Sequence, residues 1–94
     1  MKKYKLALQA EKDLLDIFLY GIEHWGVQQA EKYADEMHHC FNTLADNPRL
    51  GQIRKDLKNN PCSFVKGAHV IFYRFNKNHI EISTVVHQSK DVQF

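Results

Sequence analysis

A chain of 94 residues with 44% hydrophobic residues and a formal net charge of +2 is one domain with a single modest core. Its 26% charged residues are typical of a folded chain, which excludes a disordered one, and no apolar run approaches the roughly 18 residues of a membrane span. The basic start, Met1-Lys2-Lys3-Tyr4-Lys5, leads into no hydrophobic signal core, so the chain is expected in the cytoplasm with Cys40 and Cys62 as free thiols.

From Lys3 to Leu8 polar and apolar residues alternate, with Tyr4, Leu6 and Leu8 on one face. This predicts a short half-buried strand whose charged outer face suits a sheet edge. From Ala10 the period changes. Leu14, Ile17, Phe18, Ile22 and Trp25 form one helical stripe, with Glu11, Asp13 and Asp16 in the first turns and Gly26 as the stop. A second helix follows at once, with Ala30, Tyr33, Ala34, Met37, Phe41, Leu44 and Ala45 on its apolar face and Asn47-Pro48 at its end. So short a link implies an antiparallel helical hairpin, and Gly21, Ala30 and Ala34 let its backbones approach closely. Residues 47–62 read as a basic loop carrying Arg49, Arg54, Lys55 and Lys58, with Ile53 and Leu57 in a short helical turn.

Three strands are predicted after the loop: Ser63 to Lys66, His69 to Phe75, and His79 to His87, joined by turns at Gly67-Ala68 and Asn76-Lys77-Asn78. The middle one is the strongest strand signal in the chain. Val70 and Phe72 share one face; Ile71, Tyr73 and Phe75 share the other. A strand apolar on both faces belongs at the centre of a sheet. In the last strand Ile80, Ile82, Thr84 and Val86 are expected on one face, and Glu81, Ser83, Val85 and His87 on the other. The order β-α-α-β-β-β is an α+β fold: a helical hairpin packed on a small, mainly antiparallel sheet.

Charge is divided along the chain. From Ala10 to Asp46 there are eight acidic and two basic residues; the remainder holds eleven basic and three acidic ones. Either helix surfaces are simply acidic and loops basic, or a basic sheet and tail meet an anionic partner. Direct sequence-specific DNA reading does not fit, because no helix is basic. RNA cleavage would need a base, an acid and cations for the developing phosphorane charge. His87, Tyr73 and Arg74 are the candidates for that chemistry, with Lys66 and Lys90 as cations. Tyr73 and Arg74 are consecutive and face opposite ways in a strand, and His87 also reads as a strand-end residue bonded to Ser89 or Asp91. No metal or cofactor is expected. His38 and His39 diverge by about 100° on a helix, and no histidine has ligand spacing with Cys40 or Cys62. For partner binding the candidates are Lys66, Arg74, Lys77, His87, Lys90 and Asp91, beside a sheet edge that an incoming strand could extend.

Several stretches, in this order, resemble the ParE toxins of the RelE/ParE toxin–antitoxin superfamily. They are Tyr4-Lys5-Leu6 with Ala10-Glu11-Lys12-Asp13-Leu14; His24-Trp25-Gly26 with Gln29-Ala30 and Tyr33; Leu44-Ala45-Asp46-Asn47-Pro48 with Leu50-Gly51; Gly67 to Arg74; and Val86-His87-Gln88-Ser89-Lys90-Asp91-Val92. The resemblance implies the same fold and a toxin that inhibits DNA gyrase by binding, silenced by a ParD-like antitoxin. The related RelE branch, a ribosome-dependent mRNA endonuclease, is the alternative; a degenerate toxin that only binds antitoxin is a third. Three positions depart from the family pattern: Cys62 where an arginine is common, Thr84 where the last strand often has an arginine, and Lys90 in place of a methionine.

Overall fold

The computed structural model describes residues 3–91. The elements run β1 (Lys3–Leu6), α1 (Leu8–Trp25), α2 (Val27–Asp46), β2 (Gln52–Ile53), β3 (Cys62–Lys66), β4 (His69–Phe75) and β5 (His79–His87), followed by a 3-10 turn, Gln88–Lys90. All strands join one sheet in the order β1-β5-β4-β3-β2, with β1 parallel to β5 and every other pair antiparallel. β4 is therefore the middle strand, where its two apolar faces place it.

One face of the sheet carries the core. Ile71 and Tyr73 of β4, Ile80, Ile82 and Val85 of β5 and Cys62 of β3 meet Met37, Phe41, Leu44 and Ala45 of α2 and Ala10 of α1. Each large apolar side chain buried there contributes about 1.5–3 kcal/mol. Tyr73 is wholly buried and carries a hydroxyl, which must be hydrogen-bonded to be tolerated. It donates to the Pro48 carbonyl at 2.8 Å and accepts from the Gly51 amide at 2.9 Å, so the strand's core residue also pins the loop that leaves α2. The helices are joined through Gly26 alone, at φ 91°, a backbone that favours glycine. A Cβ on Gly21 would lie 3.2 Å from the Ala30 Cβ, so the hairpin is as closely packed as its small residues suggest.

The structure differs from the sequence expectations at four places. β1 ends at Leu6, and Leu8 is already the first residue of α1 and 69% exposed, because the Ala7 carbonyl accepts the first helical bond from Glu11. Trp25 continues the α1 stripe but is 65% exposed. The helix there has run past the sheet, and Trp25 packs instead edge-on against Tyr20, which stacks on His24. Ile53 is not in a helical turn: Gln52–Ile53 pairs with Ser63 and Cys62 as a fifth strand, leaving Leu57 in successive turns closed by Leu57 N–H to Arg54 and Asn60 N–H to Leu57.

The fourth difference changes which residues of β5 face the core. Thr84 pairs with Phe72 but Ile82 pairs with Tyr73, so Ser83 is an inserted, bulged residue. Beyond it the alternation shifts by one, and Val85 joins Ile80 and Ile82 in the core where Thr84 and Val86 were expected. The bulge also sits where β1 has ended and, among the described residues, no strand continues along that edge of β5. Asp13 of α1 fills the gap: its carboxylate accepts the Val85 amide at 3.0 Å and the Thr84 hydroxyl.

Gly51 tests the Tyr73 anchor. A Cβ there would lie 2.6 Å from the Ser63 carbonyl oxygen and closer still to the Tyr73 hydroxyl. Gly51→Ala should cost about 1–3 kcal/mol in urea unfolding. Combined with Tyr73→Phe, which removes the hydroxyl, the loss should be smaller than the sum of the two single changes.

Candidate partner interface

The sequence-derived candidates do not form one cluster. The register pairs His69 with His87 at one end of the β4–β5 ladder, whereas Arg74 pairs with Glu81 near the other end. Lys66, His87 and Lys90 therefore lie at the first end and Lys77 lies in the turn at the second, about 20 Å away along the strand, while Asp91 reaches Arg54 where it lies on the Phe72 ring. Tyr73 lies in the core between them with its hydroxyl fully engaged, and Arg74 is exposed on the opposite sheet face. Tyr73, Arg74 and His87 thus share no common space.

At the first end the side chains are held by hydrogen bonds and ring contacts. The Tyr33 hydroxyl of α2 lies 3.1 Å from the Lys66 carbonyl, to which it can donate, and 2.7 Å from His69 Nδ1. The His87 ring stands perpendicular to that of His69, with centroids 5.6 Å apart. His87 Nδ1 accepts from the Ser89 amide at 3.1 Å and lies 2.9 Å from the Ser89 hydroxyl, so the neutral ring carries its proton on Nε2. His87 thereby caps the 3-10 turn. Gln88 docks the same turn onto the β3–β4 hairpin, through its amide to Ala68 and its side chain to the Gly67 carbonyl, both at 2.8 Å. Burial, and then the neighbouring His87, push the His69 pKa below its usual range. Lys66 makes a loose contact with Glu36 at 3.5 Å, and Lys90 is exposed.

Sequence reasoning placed Arg54 in a basic loop but missed its role. Its guanidinium lies on the Phe72 ring, 5.6 Å from the centroid, over the sheet face away from the helices. It binds both oxygens of Asp91, at 2.9 and 3.1 Å, and both of Asp56, at 2.9 and 2.7 Å. These hydrogen bonds, Asp56 first, hold Arg54 charged, and Arg54 in turn lowers the Asp56 pKa. The sheet face away from the helices is therefore partly closed by the chain itself, with Asp91 held by Arg54. No sequence motif signals a pair separated by 37 positions.

The departures from the family pattern fall in different settings. Cys62 is buried beside Tyr73, and burial raises its pKa, as it does that of Cys40; neither thiol is activated. Thr84 uses its hydroxyl on Asp13, a carboxylate that an arginine at this position would also meet. Lys90 is on the surface. Among the described residues no group of three His, Cys, Asp or Glu side chains could hold a metal, and no helix is long and apolar enough to cross a membrane.

Comparison with known proteins agrees with this architecture. The sequence model of a family described as "ParE toxin of type II toxin-antitoxin system, parDE" matches residues 4–92. The chain is 38% identical over 93 residues to Toxin ParE1 of Caulobacter vibrioides, covering 99% of this chain and 96% of that protein. It is 33% identical over 91 residues to Toxin ParE1 of Mycobacterium tuberculosis, covering 96% and 93%. A solved structure titled "Chromosomal ParDE TA system from P. aeruginosa" superposes with a TM-score of 0.76 at 16% identity, over 93% of this chain and 96% of that one, which shows a shared fold.

Two measurements test the geometry. A double-mutant cycle of Arg54→Ala and Asp91→Ala should give a coupling of about 1–3 kcal/mol. The same cycle for the more exposed Lys66 and Glu36 should stay below about 1 kcal/mol. For His69, the unfolded chain takes up the proton at the ordinary value of 6.5 and the folded chain only at lower pH. Its neutral form therefore supports stability fully above pH 6.5, and that support is lost as the pH falls toward the folded value. His69→Gln should flatten this part of the stability–pH curve.

Proposed function

The chain belongs to the ParE toxins of type II toxin–antitoxin systems, and on that premise we propose that it inhibits DNA gyrase by binding and is neutralised by a ParD-like antitoxin in the cytoplasm. It acts without bond chemistry of its own. The observation that carries this reading is the dispersal of the groups a nuclease would need. Tyr73 is sealed in the core, Arg74 stands on the other sheet face, and His87 is occupied as the cap of the 3-10 turn. General acid–base catalysis requires such groups within hydrogen-bond reach of one reacting phosphate. Binding needs only complementary surface, which exposed Lys77, His87 and Lys90 and half-buried Lys66 supply around the sheet, with Asp91 held by Arg54.

A supercoiling assay with purified protein, gyrase, ATP and plasmid tests the proposal. Supercoiling should fall and linear DNA should accumulate with dose. His87→Ala, if folded, should retain most of the effect. Ribosome-dependent mRNA cleavage that His87→Ala abolishes, with gyrase unaffected, would overturn the reading in favour of an endonuclease. Loss of both activities alongside intact antitoxin binding would mark a degenerate toxin.

A further inference from the structure

The second pole of the molecule, beyond the end of β4, holds a groove that the proposed function does not yet use. It is a cavity of about 620 Å³ between the chain leaving α2 and the β4–β5 turn, within the size range of sites that hold a small ligand or a few peptide residues. Its apolar surface comes from Phe75 and Leu50, which remain 36% and 52% exposed. Arg49 and Lys77 line it as well, and neither forms an ion pair among the described residues. The Arg49 guanidinium lies over the Phe75 ring, 5.9 Å from its centroid.

Both walls are fixed from behind. The Tyr73 hydroxyl holds Pro48 and Gly51 on one side, and the Leu50 amide donates to the Asn47 carbonyl at 3.0 Å. On the other side the Asn76 side chain accepts the amides of Asn78 at 2.8 Å and His79 at 3.1 Å. Loop segments held in this way lose little conformational freedom on binding, so a ligand meets a site that is already formed.

The contents of the groove select its occupant. Unpaired cations beside an exposed apolar surface favour a ligand that brings carboxylates together with an apolar side chain. A nucleic-acid strand fits less well, because successive bases need a series of stacking faces and Phe75 is the one aromatic side chain among the described residues lining the groove. We propose that this groove receives an acidic segment of the antitoxin, with an apolar side chain against Phe75 and Leu50 and carboxylates at Arg49 and Lys77. The inference rests on the antitoxin reading above and adds where, and by what chemistry, part of that partner is held.

The first probe is a short synthetic peptide with glutamates on both sides of a leucine–phenylalanine pair, followed by amide chemical-shift mapping on the full chain. Shifts should concentrate at Leu50, Phe75, Asn76 and Lys77. Replacing the glutamates by glutamines should weaken binding at least about tenfold. Shifts centred on Lys66 and Lys90, or equal affinity for the glutamine peptide, would overturn the proposal. The second measurement uses the intact antitoxin with the wild-type chain and with the Arg49→Glu/Lys77→Glu variant, whose two exposed changes leave the core untouched. The variant should bind at least about tenfold more weakly. Equal affinity for both chains overturns the groove assignment and leaves the antitoxin reading standing. A wild-type chain that does not bind the antitoxin overturns that reading and the groove assignment with it.

Discussion

The hydroxyl of Tyr73 is the interaction on which most of the structure depends. A phenol at the centre of an apolar core costs free energy unless both its donor and acceptor capacities are used. Here they are used on the Pro48 carbonyl and the Gly51 amide. The same side chain therefore completes the core, sets the path of the chain out of α2, and brings the next residues, Gln52–Ile53, alongside β3 as the edge strand. The side chain of Gly51 is missing because Tyr73 and the β3 backbone occupy its space. β4 thus serves as more than the middle of the sheet: both the fifth strand and one wall of the Arg49–Lys77 groove are positioned from it.

The two faces of β4 separate the functions of the molecule. The face that carries Ile71 and Tyr73 is sealed by the helices. On the other, Phe72 lies under Arg54, whose guanidinium joins the basic loop to Asp91. With one face sealed and the other partly closed, the candidate groups beside β4 sit mainly at the two ends of the strand. One end is organised by the Tyr33–His69 contact and the His87 cap, the other by Arg49, Phe75 and Lys77. Such a distribution suits a protein that grips partners at separated points better than one that concentrates chemistry at a single centre.

Much of this was legible in the sequence, for physical reasons. The helical hairpin and β4 announce themselves because their apolar periods are long and both have clear stops, at Gly26 and Asn47 and at Gly67 and Asn76. The bulge in β5 was not legible. A single extra residue, Ser83, shifts the alternation without any change in composition, and Val85 and Val86 are equally plausible core residues from sequence alone. β2 is two residues long and too short to have a period. Trp25 obeys the α1 stripe, but a helical period does not reveal where the underlying sheet stops. Arg54 was readable as a cation and not as a link, since its partner Asp91 is brought to it only by the completed sheet. Of the candidate site residues, the sequence correctly predicted that Tyr73 and Arg74 would face opposite ways; the separation of Lys77 from Lys66 and Lys90 follows from the register.

Family membership together with this geometry supports inhibition by occupancy, in which the amount of protein, and not its turnover, sets the effect. Stoichiometry tests that most directly. Gyrase should be held at a concentration well above the dissociation constant and titrated with the purified protein, following residual supercoiling activity. Inhibition by binding predicts a linear loss that ends sharply near a simple whole-number ratio of protein to gyrase. Complete loss at amounts far below equimolar, increasing with time of incubation, would be the signature of turnover and would contradict inhibition by binding.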